Sequence, residues 1–330
     1  MKELSTIKLK NQLILELYSN YLNNNPKTIS KKMVEELSKS CHIAHSDSLF
    51  LLLVAEFGLD IVDNDIHKDF AYEYIKPYLH QLPLNEYLTN PYYQNVKPEK
   101  IKKGKWEITY QTYSPYELFV WKDLTIASDY SEYPNIGYFE EPFKYLTVLE
   151  NNREWMTITP NEIETMKDAV NQAHGNVITF GLGLGYFAYM VSLKSNVKKV
   201  TIIEKDQTVI DLFNSNILPF FEYQDKIEII KMDAVAYLQQ VMMIEQYDFA
   251  FVDLWHDVSD AIELYLKIKN IEIKFNHTNF MYWIEESIIS YLRWYLYDNF
   301  EVLKSKKLID SYQISVEMLD KKSILRILKN

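Results

Sequence analysis

The pattern of apolar and polar positions changes twice along the chain. Over residues 1 to about 90, apolar residues recur at helix spacing. "STIKLKNQLILELYSNYL", "ISKKMVEELSKS" and "SDSLFLLLVAEFGLDIV" all read as helices, with Ser5 as a cap for the first. "TNPYYQNVKPEKIKKGK", at about 89 to 105, mixes two prolines and a glycine with lysines, and reads as a linker or surface crossing. Beyond it the period shortens to that of strands. "WEITYQTY" and "YELFVWKDLTIA" alternate, with "SPY" as a turn between them, and "KYLTVLENNREWMTIT" reads as a hairpin turning at "ENNRE". "TPNEIETMKDAVNQA" then predicts a helix with Thr159 as cap, Pro160 as its first residue and Glu162 as the capping-box partner.

From 176 onward strands and helices alternate. "NVITFG", "KKVTIIEKD", "KIEIIKMD", "YDFAFVDLW" and "NFMYWIEE" are short apolar runs, separated by "YFAYMVSLK", "QTVIDLFNSNI", "AVAYLQQVMM" and "DVSDAIELYLKIKN". This alternation predicts a doubly wound, mainly parallel α/β sheet covered by helices. The expected organisation is a helical N-terminal domain (1–104), a β-rich segment (105–160) and a Rossmann-like domain (161–330). "SIISYLRWYLYDNF" places Tyr and Trp at helix spacing and reads as core packing.

Composition narrows the partners. The net charge of −11, with lysines mostly scattered among acids, argues against nucleic acid and suits a neutral or cationic small molecule. The single cysteine, Cys41, excludes an internal disulfide and fits a reducing, cytoplasmic setting. The N-terminus has no uninterrupted apolar core, so no signal peptide is expected. No run of about 18 apolar residues exists, so no membrane span is expected. "CHIAHSD" contains residue types that bind zinc, but no second pair stands at ligand spacing, and no metal is expected.

Glycine is scarce, seven in 330 residues, yet Gly181, Gly183 and Gly185 crowd the end of the first of these strands. They serve either tight packing of the next helix on the sheet or the close approach of a nucleotide-like ligand to bare backbone. Tyr186 occupies the position of the third glycine of G-x-G-x-x-G, which argues against NAD or FAD. In open parallel sheets ligands bind beyond the carboxyl ends of the strands. The next three strands end in Glu204, Asp233 and Asp253. Glu204 lies about 20 residues past the glycines, where a carboxylate meets ribose hydroxyls, or else it is a solvated strand-end acid. Asp233, followed by Ala234, can accept from an adenine amino group, cap the next helix, or do both. Asp253 points to the centre of the crevice. His256 is a candidate base or a surface histidine, and Asp257 reads as a helix cap.

This order of features resembles the class I S-adenosylmethionine-dependent methyltransferases. "VITFGLGLG" resembles their first motif, "VTIIEKD" their second strand, "IEIIKMDAVAYL" their adenine-contacting segment and "YDFAFVDL" their fourth strand. The likeness covers roughly 160 to 290. It implies that Gly181, Gly183 and Gly185 line the methionine and ribose portion of S-adenosylmethionine, that Glu204 holds the ribose and that Asp233 with Ala234 meets the adenine. Asp253 would sit beside the sulfonium end. Two departures stand out: Phe180 replaces the acid that often begins the first motif, and "DLWHD" replaces the Asp/Asn-Pro-Pro-aromatic motif of many amino-group methyltransferases.

A β-rich segment directly before the nucleotide fold is also similar to the spermidine synthase group. Those enzymes transfer an aminopropyl group from decarboxylated S-adenosylmethionine. Asp253 and Asp257 match their catalytic segment only in part, and its proline is absent. The leading expectation is methyl transfer to a small molecule, with Asp253 and His256 as catalytic candidates. Aminopropyl transfer and a non-catalytic adenosyl-binding module are the alternatives. The N-terminal segments are expected to shape the acceptor pocket or a homodimer interface.

Overall fold

The computed structural model describes residues 2–309 and 316–328. The chain begins with helices α1 (Lys2–Asn24), α2 (Lys31–Cys41), α3 (His45–Glu56) and α4 (Asp65–Phe70), then strand β1 (Leu79–Gln81) and α5 (Leu84–Leu88). Short α6 (Pro91–Asn95) leads to β2 (Ile101–Lys103), β3 (Trp106–Tyr113), β4 (Phe119–Ile126), β5 (Glu132–Tyr138), β6 (Phe143–Glu150) and β7 (Arg153–Thr157). After α7 (Pro160–Gln172) come β8 (Gly175–Phe180), α8 (Tyr186–Ser192), β9 (Val197–Glu204), α9 (Gln207–Asn216), β10 (Ile227–Lys231), α10 (Ala234–Gln240), β11 (Phe249–Val252), α11 (Val258–Glu272) and β12 (Asn279–Tyr282). Helices α12 (Glu285–Asp298), α13 (Phe300–Ser305) and α14 (Lys321–Leu328) follow. They form two compact units, one of Met1–Asn90 with Lys100–Glu164, the other of Pro91–Glu99 with Thr165–Asn330.

In the first unit the N-terminal helices bury Ile14, Tyr18, Val34, Leu49 and Leu53 against Ile136 and Tyr138 of β5. The apolar face of each helix makes this core, as the helix spacing requires. Ser5 is not a cap: α1 already runs from Lys2, three residues earlier, so Ser5 lies inside it. The cap of α2 is Ser30, whose side chain accepts from Met33 N. The strands form two sheets, β1-β5-β4 and the antiparallel β2-β3-β6-β7. "SPY" therefore joins strands of different sheets, not a hairpin. The β6–β7 hairpin does turn at "ENNRE", on Asn151 and Asn152 with φ of 51° and 65°, a conformation Asn tolerates.

The second unit carries a five-stranded parallel sheet in the order β10-β9-β8-β11-β12. All four residues of β11 are buried, which is why its sequence is apolar without alternation. The stretch after Asn90 is not a plain linker. Its residues Pro91–Glu99 belong to this unit, and Tyr92 and Val96 are buried. Helix α12 buries Ile288, Ile289, Leu292 and Leu296, but Tyr291 and Tyr295 are 51% and 45% exposed. Those two tyrosines are not the core packing their spacing suggests; they lie on the other face of the helix. No helix among the described residues is long and apolar enough to cross a membrane.

Candidate functional site

Strand order reverses between β8 and β11, the place where open parallel sheets leave a crevice. Phe180 is in register with Ile203 on one side and Val252 on the other. The next residue on each strand extends the row: Gly181 N donates to Ile203 O at 3.0 Å, and Asp253 N donates to Phe180 O at 2.9 Å. Glu204, Gly181 and Asp253 therefore stand side by side at one sheet edge. Asp233 lies two residues beyond β10.

The glycines have local structural work. Gly181 has φ of 101°, and a β-carbon there would overlap the carbonyl oxygen of Asp253. Gly185 caps α8 with φ of 73°, and a β-carbon there would overlap the Phe213 ring. Gly183 also has positive φ, 53°. Close packing of the loop thus accounts for Gly181 and Gly185 without a ligand. Tyr186 fills its position by packing on Tyr92, whose hydroxyl donates to Leu184 O at 2.7 Å. Asn95 Nδ2 donates to Tyr189 OH at 2.8 Å. The lysine-rich stretch conceals this brace: its lysines are exposed, and Tyr92 carries the contact.

Glu204 is half-buried. Its Oε2 accepts from Leu182 N at 3.3 Å and its Oε1 from Asp206 N at 2.8 Å, so it ties the glycine loop to its own turn. Asp206 caps α9 through Thr208 N. Asp233 caps α10, accepting from Ala236 N at 2.9 Å, and Ala234 is buried as the first helical residue. The capping role open in the sequence is thus occupied, by one oxygen of the carboxylate.

Asp253 keeps part of its surface in solvent, yet burial of its carboxyl raises the pKa to about 7, with His256 pulling the other way. Burial favours the neutral acid, so the group is poised to titrate near neutrality. His256 is exposed, and its Nδ1 lies 3.1 Å from Asp260 Oδ2. That contact belongs to the start of α11, where Asp257 and Asp260 form a capping box. His256 therefore acts first as part of a helix start. Trp255, buried beside it, stacks on Tyr282 and leaves its indole N–H without a protein acceptor. A buried unpaired donor is costly, and no periodicity in the sequence could reveal it.

The sequence stretch "CHIAHSD" has a local role. His45 Nδ1 lies 3.0 Å from Tyr116 OH, which also donates to Glu140 at 3.0 Å. Among the described residues no group of three or more His, Cys, Asp or Glu side chains could hold a metal ion.

No protein-family model matches the chain, and neither does any curated protein. Among solved structures, spermidine synthase from Thermotoga maritima is similar at 15% identity and a TM-score of 0.28. That match covers 39% of this chain and 50% of the other, so the chain spans about half the length of that enzyme.

Proposed function

We propose that the second unit is a doubly wound, Rossmann-like domain that binds S-adenosylmethionine and directs methyl transfer to a small-molecule acceptor. The observation that carries this reading is the row of Glu204, Gly181 and Asp253 at the reversal of strand order. Double winding is supported by two contacts. Phe187 of α8 stacks on Phe251, and Tyr237 of α10 meets Phe180. Phe251 is in register with Thr179 and Val252 with Phe180, so the two contacts lie on opposite faces of the sheet.

The residues suit the group chemically. An adenosyl ligand offers two ribose hydroxyls and an amino group as donors, and the strand ends offer carboxylates. Each carboxylate has about four lone-pair sites. Glu204 uses two for backbone N–H groups and keeps capacity for both hydroxyls. Asp233 keeps one oxygen outside its cap for the adenine edge. Gly181 and Gly183, both partly exposed, present backbone along the methionine and ribose portion, while Gly185 is buried against Phe213 and shapes the loop from behind.

When bound, the cofactor supplies an electrophilic carbon on a positively charged sulfur. Asp253 orients the acceptor and takes its proton, a role for which a pKa near the working pH is best. A fixed anion serving the sulfur instead would favour the starting state, because the positive charge disappears as the reaction proceeds. His256, three residues on from Asp253, is held at the start of α11 by Asp260. The acceptor is neutral or cationic, in keeping with the acid excess.

Aminopropyl transfer from decarboxylated S-adenosylmethionine is the second reading. It is favoured by the antiparallel sheet β2-β3-β6-β7, which directly precedes α7 and β8 in the chain. Both readings place Glu204 on the ribose. Glu204→Gln keeps an acceptor for Leu182 N and removes the charge. Isothermal titration of S-adenosylmethionine should show roughly tenfold weaker binding by this variant. Unchanged affinity would remove Glu204 from the site.

A further inference from the structure

A second concavity lies wholly within the first unit. It has a volume of about 600 Å³, in the range of small-molecule sites. One wall is aromatic: the rings of Tyr113 and Phe119 stack at 4.2 Å, and Tyr145 lies 4.8 Å from Tyr113. Two carboxylates, Glu117 and Glu154, also line it. They come from separated parts of the chain, and nothing in the adenosyl reading uses them.

Glu117 is a buried acid, and its Oε2 accepts from Ser114 N at 2.8 Å. Lys27 is the one cation among the lining residues. Its Nζ lies 3.5 Å from Glu117, and its side chain is 61% exposed. Burial, with the charges of Glu154 and Glu117 adding to it, holds the Tyr145 hydroxyl well above its ordinary pKa, and Tyr113 is shifted in the same direction. The hydroxyl of Tyr145 donates to the Gln111 side-chain carbonyl oxygen at 2.9 Å, and its own oxygen accepts from the Tyr113 hydroxyl. The cavity is thus rich in acceptors, negative in potential and faced with aromatic rings.

We propose that this cavity binds a small organic cation, a primary ammonium carried on an aromatic or apolar body. Glu117 is the counter-ion, taking over from the solvent-exposed Lys27, and the Tyr113, Phe119 and Tyr145 rings receive the apolar body. A carboxylate and a ring face both attract an ammonium, whereas an anion meets the same groups as repulsion. A neutral isostere keeps the ring contact and loses the charge. The proposal is independent of the adenosyl reading.

The test is isothermal titration of the full chain, without nucleotide, using 2-phenylethylamine as the probe. 2-Phenylethanol and 3-phenylpropanoate are the neutral and anionic comparisons. The amine is expected to bind saturably, with the other two at least about tenfold weaker. Lys27→Ala should tighten amine binding by about threefold, since it removes an exposed competitor. Glu117→Gln should weaken it by roughly tenfold or more. If that variant fails to fold, Glu154→Gln on the exposed edge of β7 should still weaken binding severalfold. Three results would each overturn the proposal: no saturable amine binding tighter than a Kd of about 10 mM, equal binding of the alcohol, or weaker binding by Lys27→Ala.

Discussion

Asp253→Asn is expected to lower kcat by about 10²- to 10⁴-fold, the range for removing a general base, while S-adenosylmethionine affinity changes little. Asparagine has the same shape, and the backbone N–H of residue 253 keeps its bond to Phe180 O. In the wild type the rate should rise with pH through about 7, where the buried carboxyl loses its proton. The same substitution has a stability signature that needs no acceptor. Asp253 titrates at about 7 in the folded chain and near 3.9 unfolded. Between those values the folded state holds the extra proton, so stability falls as pH rises from about 4 to about 7. Asparagine has no such term. The variant should therefore gain stability relative to the wild type across that window, in chemical denaturation at a series of pH values. Full turnover by the variant would remove Asp253 from catalysis, and parallel pH profiles would contradict its burial.

Gly181→Ala should be the most damaging small substitution in the second unit. Residue 181 would need φ of 101° with a side chain, and its β-carbon would overlap the Asp253 carbonyl oxygen, a backbone atom that cannot swing aside. Strain and overlap together should cost about 3–5 kcal/mol. For a unit of this size that corresponds to a Tm lower by roughly 10 °C. Gly58→Ala is the matched control. Gly58 also has positive φ, 66°, but nothing lies within 4 Å of an added β-carbon. It should cost only about 1–2 kcal/mol. Equal losses in the two variants would show that backbone strain alone matters, and that the contact between the glycine loop and Asp253 is weak.

The legible parts of the fold were those whose burial leaves a one-dimensional trace. Strands β8, β9 and β11 read as apolar runs because they are the inner strands and largely buried, whereas the edge strands β10 and β12 are only partly buried. The bonding partners of the strand-end acids left no such trace. Strand β5 was illegible because "EYPNIGY" contains Pro134 and Gly137, residues that normally argue against a strand. The structure tolerates Pro134 where the pairing with β4 is irregular, between the positions opposite Lys122 and Thr125. At Gly137 the side chains of Leu82, Trp121 and Phe119 crowd in, so any side chain there would force them to shift. Strand β1 is three residues long and has no period to read.

At the candidate site the positions of Glu204 and Asp253 could be read, because strand ends follow from the pattern. The binding of Leu182 N by Glu204, the brace from Tyr92 and the unpaired N–H of Trp255 could not. They depend on which side chains meet across the fold, which periodicity does not encode. The Gly181 requirement is similar: its scarcity drew attention, but the neighbour that demands it, the Asp253 carbonyl, comes from 72 residues later. The cavity of Glu117 and Tyr145 draws on chain segments more than a hundred residues apart, and left no motif at all.

The adenosyl reading is tested most directly by thermal unfolding of the full chain with S-adenosylmethionine, its decarboxylated form or NAD. A ligand that binds only the folded state raises the Tm. S-adenosylmethionine is expected to raise it, and Glu204→Gln to lose most of that shift, with NAD giving none. A larger shift with the decarboxylated form would move the chain to aminopropyl transfer. Stabilisation by NAD alone, or no shift with either sulfonium compound, would contradict the account.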